Sequence, residues 1–235
     1  MFLSAIKFAI VWARKDNMEI FVEEYLAKSV PNTKQWVEKI IDKCARRIKF
    51  KDAKIGVFLT PGSNGLEDVN GIGGYCPSSA LVEISVDLNH PNFDFDSLKL
   101  TLAHELYHLA RRQSGIKIGE STVLECLISE GLADRFVYET YGLTPVWISK
   151  LGGTDAAKLL KKISPILDEK IDDEIYNDWF LSGSKKLGVA KWSGYSLSYA
   201  LVSQILKKDK KLNSISFLDV PAKEIADITT LYDKV

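Results

Sequence analysis

Strand-like and helix-like segments are segregated along this chain, and that order restricts the fold more than any other feature. Apolar runs with the length and composition of strands occur only in the first 90 residues, at 5–13, 54–60 and 81–88. From Phe95 onward, apolar residues recur at helical spacing almost to the end. The expected helices there are 97–113, 120–141, 145–151, 154–163, 172–181 and 193–208. Two more helices fall among the strands. One spans 18–30, with Ile20, Phe21, Tyr25 and Leu26 apolar and Pro31 ending it. The other spans 33–49, with a stripe of Trp36, Val37, Ile40, Ile41, Cys44 and Ile48. Strands first and helices afterwards predict an α+β fold, a small N-terminal β-sheet packed on a mostly helical C-terminal part. No linker or repeat divides the 235 residues, so a single domain is expected over 1–235, with sheet up to 90 and helices from 95.

Within the first expected helix of the C-terminal part lies His104-Glu-Leu-Tyr-His108, which holds two of the three histidines in the chain. Residues four apart on a helix project from one face about one turn apart. Two imidazoles so placed can reach one tetrahedral zinc ion, with Glu105 alongside to take a proton from water. On a helical wheel Leu98, Leu102, Leu106 and Leu109 form the apolar face. His104 and His108 lie on the other side near Ser97, Thr101 and Arg111, with Glu105 at the border. The helix is therefore expected to enter a core through its leucines and to turn the histidines toward a cleft. The alternative for these residues is a solvated helix face that carries two histidines.

A third ligand is offered by the next helix. Glu130 and Asp134 share a face with Val123, Leu127 and Val137, whereas Glu125 and Glu139 lie roughly opposite. Carboxylates on an apolar face are costly unless paired or bound to metal. Glu130 as ligand, with Asp134 supporting a ligating histidine, removes that cost. Gly131 is expected to let this helix approach the histidine helix closely. A solvent channel beside both carboxylates is the other reading.

These stretches resemble a known family. His-Glu-x-x-His, a glutamate on the next helix and an aspartate four residues later look like the gluzincin metallopeptidases of the thermolysin type. More specifically, the chain is similar to the predicted zinc-dependent proteases of domain-of-unknown-function family 2268. The match rests on Thr101-Leu-Ala-His-Glu-Leu-Tyr-His108, Ser129-Glu-Gly-Leu-Ala-Asp-Arg-Phe136 and Lys191-Trp-Ser-Gly-Tyr-Ser-Leu-Ser-Tyr-Ala-Leu-Val202. Trp179-Phe-Leu-Ser-Gly183 also looks like part of it. The resemblance implies a zincin-like fold, Zn2+ on His104, His108 and Glu130, and Glu105 as general base. It names no substrate. Thermolysin-type enzymes use a downstream histidine to stabilise the oxyanion, and this chain has none after His108.

Another donor is therefore needed. Tyr195, behind the small Ser193 and Gly194, is the first candidate, and Tyr199 one turn on is the second; core packing is the alternative for both. The substrate backbone is expected to add to an exposed sheet edge at Gly71-Ile-Gly-Gly-Tyr75, making Gly73, Gly74 and Tyr75 substrate-binding residues. Tyr75, Cys76 and Pro77 either line the cleft or form a plain surface loop. No Gly-Lys-Ser/Thr follows this glycine-rich stretch, which argues against phosphate binding. His90 reads as a loop residue, Arg111 and Arg112 as a solvated helix end rather than a substrate carboxylate clamp, and Trp147, Trp179 and Trp192 as core.

Lys+Arg and Asp+Glu balance at 31 each, which gives no electrostatic reason to expect nucleic acid or an anionic membrane as partner. The three cysteines form no C-x-x-C pair and read as small buried thiols. Lys7 interrupts the apolar N-terminus, Trp12 with Arg14-Lys15-Asp16 makes a poor cleavage site, and no segment is long enough to span a bilayer. A cytoplasmic zinc peptidase acting on a peptide or protein is the expectation. The alternatives are a zinc-binding regulatory or interaction protein without hydrolysis and a metal-dependent hydrolase of non-peptide amides. The oligomeric state is left open.

Overall fold

The computed structural model of the protein describes residues 9–13, 18–59, 66–117, 122–149 and 151–229. Of the strand expected at 5–13, residues 5–8 lie outside the described residues, as do Thr60, the last residue of the strand expected at 54–60, and 61–65 of the glycine-rich stretch that follows it. So do Glu120, at the start of one expected helix, and residue 150. The chain divides into two compact units, Met1–Gln113 and Ser114–Val235.

The first unit is a five-stranded sheet with helices. Its elements are β1 (Ala9–Ala13), β2 (Met18–Glu23), α1 (Glu24–Ser29), α2 (Thr33–Ala45), β3 (Ala53–Leu59), β4 (Ile72–Ser78), β5 (Leu81–Val86) and α3 (Phe95–Gln113). Strand order is β1-β2-β3-β5-β4. The pairs β2/β3 and β3/β5 are parallel, while β1/β2 and β4/β5 are antiparallel. β4 is thus an edge strand, as expected of the stretch that contains Gly73 and Gly74. β5 alternates, with Val82, Ile84 and Val86 buried, the period of a strand with one face in the core. The helix α2 buries Val37, Ile40, Ile41 and Cys44, and packs on β2 and α3.

The helix expected over 18–30 is corrected to a strand followed by a short helix. Met18, Ile20 and Val22 are buried, and the residues between them are half-buried. That alternation, together with pairing on both sides to β1 and β3, outweighs the helical reading of a short apolar run. The helix begins only at Glu24.

α3 is held over β4 and β5. Gln113, its last residue, accepts a hydrogen bond from the Lys51 backbone N–H (2.8 Å) and donates one to the Ser79 carbonyl (2.9 Å). At the other end the Asp94 carboxylate accepts from the Ser97 N–H at 2.6 Å, satisfying a donor of the first turn.

The second unit comprises α4 (Val123–Tyr141), α5 (Gly153–Ile163), α6 (Asp173–Tyr176), a π-helical turn at Asn177–Leu181, α7 (Ser193–Lys207) and α8 (Ala222–Thr229). α4 starts at Thr122, whose hydroxyl accepts from the Glu125 N–H, and stops at left-handed Gly142. Its main neighbour is α7. A Cβ at Gly131 would overlap the Ser198 carbonyl oxygen and stand 2.6 Å from Val202 Cγ2. The close approach that Gly131 permits within this unit is to α7.

Glu125 is buried, accepting from Ser129 Oγ (2.9 Å) and from the Ala222 N–H at the start of α8 (2.7 Å). The helix expected over 145–151 is absent. Its described part is a turn at Val146 and Trp147, because its polar groups bond distant partners. The Trp147 indole N–H donates to Asp134 Oδ1 at 3.2 Å, and the Ser149 N–H donates to Ser196 Oγ at 2.9 Å. Trp147 and Trp179 are core residues as expected, whereas Trp192 is half-buried. Trp192 stands at φ 59° before α7, with Lys191 Nζ 4.6 Å from its ring centroid. No described helix is long and apolar enough to cross a membrane. All three cysteines are buried thiols outside any disulfide.

Candidate metal centre

α3 carries no glycine or proline over 19 residues, and it presents His104, Glu105 and His108 within one turn. The imidazoles meet edge to face, with ring centroids 4.6 Å apart and an interplanar angle of 77°. Their Nε2 atoms are 2.9 Å apart. Two lone pairs cannot oppose each other at that distance without a proton or cation to share. The leucine face of α3 is buried as expected, and the histidine face is enclosed as well. His104, Glu105 and His108 are 4%, 8% and 5% exposed, and Ser97 and Thr101 are also buried.

Glu105 lies against the edge strand. A Cβ on Gly74 would stand 2.6 Å from Glu105 Cγ, 2.7 Å from its Oε1 and 2.8 Å from Thr101 Cγ2. Only a residue without a side chain leaves room for this carboxylate. Gly73 has Leu66 in the corresponding space, while Tyr75 projects into solvent. Cys76 is buried, and its thiol donates to the Ser78 carbonyl at 3.3 Å. Burial, reinforced by the charge of Glu105 and opposed by Arg112, pushes that thiol up to about 12.

On α4, Glu130 and Asp134 are both buried, Asp134 completely. Asp134 holds the Trp147 indole, a partner that sequence spacing does not reveal. Among the described residues, ligand atoms of His104, His108 and Glu130 all lie within 4.8 Å of one another. Two imidazole nitrogens and one carboxylate oxygen, all buried, form a donor set suited to zinc.

Tyr195 belongs to an aromatic cluster. Its hydroxyl is 2.9 Å from that of Tyr176. Phe180 packs edge-on against the Tyr195 ring (centroids 5.4 Å, 89°) and stacks on Tyr176 (5.1 Å, 14°). Gly194 makes room for Phe180, since a Cβ there would stand 2.8 Å from the ring. Burial above all, then Tyr176 and Glu130, hold the Tyr195 hydroxyl well above its ordinary value, so its proton stays on at neutral pH. Tyr199 is engaged elsewhere, accepting from Arg135 Nη1 at 3.3 Å beneath that guanidinium. Tyr176 belongs to no motif in the sequence, and its only signal is the four-residue spacing to Phe180.

His90 is a loop residue as expected, its ring bonded to the Glu67 carbonyl (2.9 Å) and to the Asn92 N–H (3.2 Å). The solvated end expected at Arg111 and Arg112 is corrected. Arg111 is wholly buried and Arg112 is half-buried. Arg111 lies seven residues after His104, on the enclosed histidine face of α3, and is buried with that face.

Residues 33–227 match the family described as "Predicted Zn-dependent protease (DUF2268)". Over 140 residues the chain is 28% identical to the uncharacterized protein YjaZ of Bacillus subtilis (strain 168), covering 58% of this chain and 52% of that protein. The chain thus spans about half the length of this relative. Among solved structures, it is similar to an aminopeptidase N family protein from Idiomarina loihiensis (TM-score 0.45, 11% identity, 97% of this chain and 42% of that one). It is also similar to yeast LTA4 hydrolase in complex with bestatin (TM-score 0.45, 15% identity, 96% and 36%).

Proposed function

The chain belongs to the predicted zinc-dependent protease family DUF2268, and from that premise we propose that it hydrolyses peptide bonds, with His104, His108 and Glu130 holding zinc and Glu105 as general base. The observation that carries this reading is the grouping of the three buried ligand atoms within 4.8 Å, with Glu105 in the same helical turn as the histidines. Zinc held there supplies a Lewis acid that acidifies water and polarises a carbonyl.

The protein's own groups do the rest. Glu105, enclosed and backed by Gly74, takes a proton from the attacking water and delivers it to the leaving amine nitrogen. Tyr195 retains its proton and donates to the carbonyl oxygen as negative charge develops there. Tyr176, Phe180 and Trp147 hold that phenol in one orientation. Asp134 supports a ligating histidine while its Oδ1 is fixed by Trp147. The substrate backbone pairs with β4, whose Gly73, Gly74 and Tyr75 lie on the edge of the sheet.

The test is cleavage of a broad peptide library by zinc-loaded protein beside Glu105→Gln. The proposal expects cleavage by the former and none by the latter, with zinc content equal in both. Equal cleavage by both would remove Glu105 from the mechanism. No cleavage by zinc-loaded wild type would leave a zinc-binding protein without hydrolytic activity.

A further inference from the structure

Arg112 stands one turn beyond His108 on α3, and its direction on the helix falls between those of His108 and Glu105. It therefore shares the face of the metal-binding pair, although it takes no part in the ligand set. It is half-buried, and its Nε is fully enclosed with no hydrogen-bond partner among the described residues. Its polar neighbour is the Cys76 thiol on β4, a weak acceptor with no charge to offset a guanidinium.

Other cations are matched differently. Lys99 pairs with Asp96, and Arg135 has Glu139 at 3.8 Å and the rings of Tyr138 and Tyr199. No described carboxylate pairs with Arg112. A half-buried guanidinium is costly without an anion, and its planar fork matches a carboxylate.

Position narrows the anion. Gly74 lies beside Glu105, and Cys76, two residues along β4, lies beside Arg112. A peptide paired with β4 advances about 3.3 Å per residue, and seven residues of helix rise about 10 Å. A group on that peptide reaches Arg112 about two to three residues from the bond addressed by Glu105. We propose that Arg112 is a specificity-determining residue that binds a carboxylate of the bound peptide, supplied by an acidic side chain or by the chain terminus. The placement of the peptide rests on the peptidase reading of the preceding subsection.

Binding and cleavage are measured separately so that the two ideas fail separately. Short peptides with Glu, Gln or Lys at each position in turn, with free or amidated C-termini, are titrated calorimetrically into zinc-loaded Glu105→Gln protein. The same series is titrated into Glu105→Gln carrying Arg112→Gln or Arg112→Glu. At one position, or at the terminus, the carboxylate should strengthen binding about tenfold or more. Arg112→Gln should erase that preference, and Arg112→Glu should invert it toward Lys. Dependence on Glu against Gln identifies a side chain as the source, and dependence on amidation identifies the terminus.

Undiminished discrimination in a folded Arg112→Gln overturns the proposal. If that variant does not fold, Arg112→Lys decides, because weakened discrimination supports the role of the fork and unchanged discrimination refutes it. Glu-selective binding without cleavage by wild type removes hydrolysis and keeps this role. Cleavage without charge preference does the reverse, and no binding of any peptide overturns both.

Discussion

A methyl group at Gly74 would occupy space that Glu105 already fills. The added Cβ of Gly74→Ala would stand 2.6 Å from Glu105 Cγ, 2.7 Å from Oε1 and 2.8 Å from Thr101 Cγ2. Ordinary carbon contacts are about 3.5–4.0 Å, so the carboxylate must retreat by about 1 Å or α3 must lift from β4. Gly74 is not among the positive-φ residues, so alanine adds no backbone strain and the effect is steric. A displacement of about 1 Å at a reacting group costs about 100-fold in rate. Overpacking of this kind costs about 1–3 kcal/mol in stability. Because Gly74 touches Glu105 and Thr101 rather than the histidines, zinc content should not change. The assay is kcat on a cleaved peptide, with metal content and a thermal melt on the same sample. Full kcat in folded, zinc-loaded Gly74→Ala would refute the placement of Glu105 against β4.

Three further outcomes are expected. Gly131→Ala should lower the melting temperature, since its Cβ meets the rigid backbone of Ser198 rather than a side-chain tip. A loss of about 1–3 kcal/mol is expected, at about 2–4 °C each, and an unchanged melt would contradict the α4–α7 contact. Tyr195→Phe should lower kcat by about 100-fold with little change in KM, and Tyr176→Phe by a smaller factor through loss of the phenol's orientation. Equal effects on kcat and KM would place Tyr195 in substrate binding instead. Cys76 should resist alkylation in the native state at pH 8, because its folded value of about 12 exceeds the ordinary 9.0. The folded state holds that proton more tightly, so this thiol's contribution to stability is intact below pH 9 and lost as pH rises from 9 toward 12. The difference between the denaturant midpoints of wild type and Cys76→Ala should therefore stay constant below pH 9 and shift against wild type above it.

The readable parts of the sequence were those whose signal is local. His104, Glu105 and His108 depend on one helical turn, and Glu130 and Asp134 are conspicuous as carboxylates among apolar neighbours. The edge position of Gly73 and Gly74 followed from their lack of side chains. Segments settled by distant partners carry no decisive local signal. Met18–Glu23 is short and apolar enough for either helix or strand, and pairing with β1 and β3 decides it. Residues 145–149 form no helix, and the Ser149 N–H is committed to Ser196, 47 residues further along the chain. The burial of Arg111 and the bond between Tyr176 and Tyr195 depend on packing that helical periodicity does not encode.

Zinc stoichiometry tests the central claim most directly. Wild-type protein reconstituted with zinc and freed of excess should hold about one ion per chain, and Glu130→Ala, still folded by circular dichroism, should lose most of it. Retention of a full equivalent by Glu130→Ala, or no zinc on the wild type, would contradict the three-residue centre.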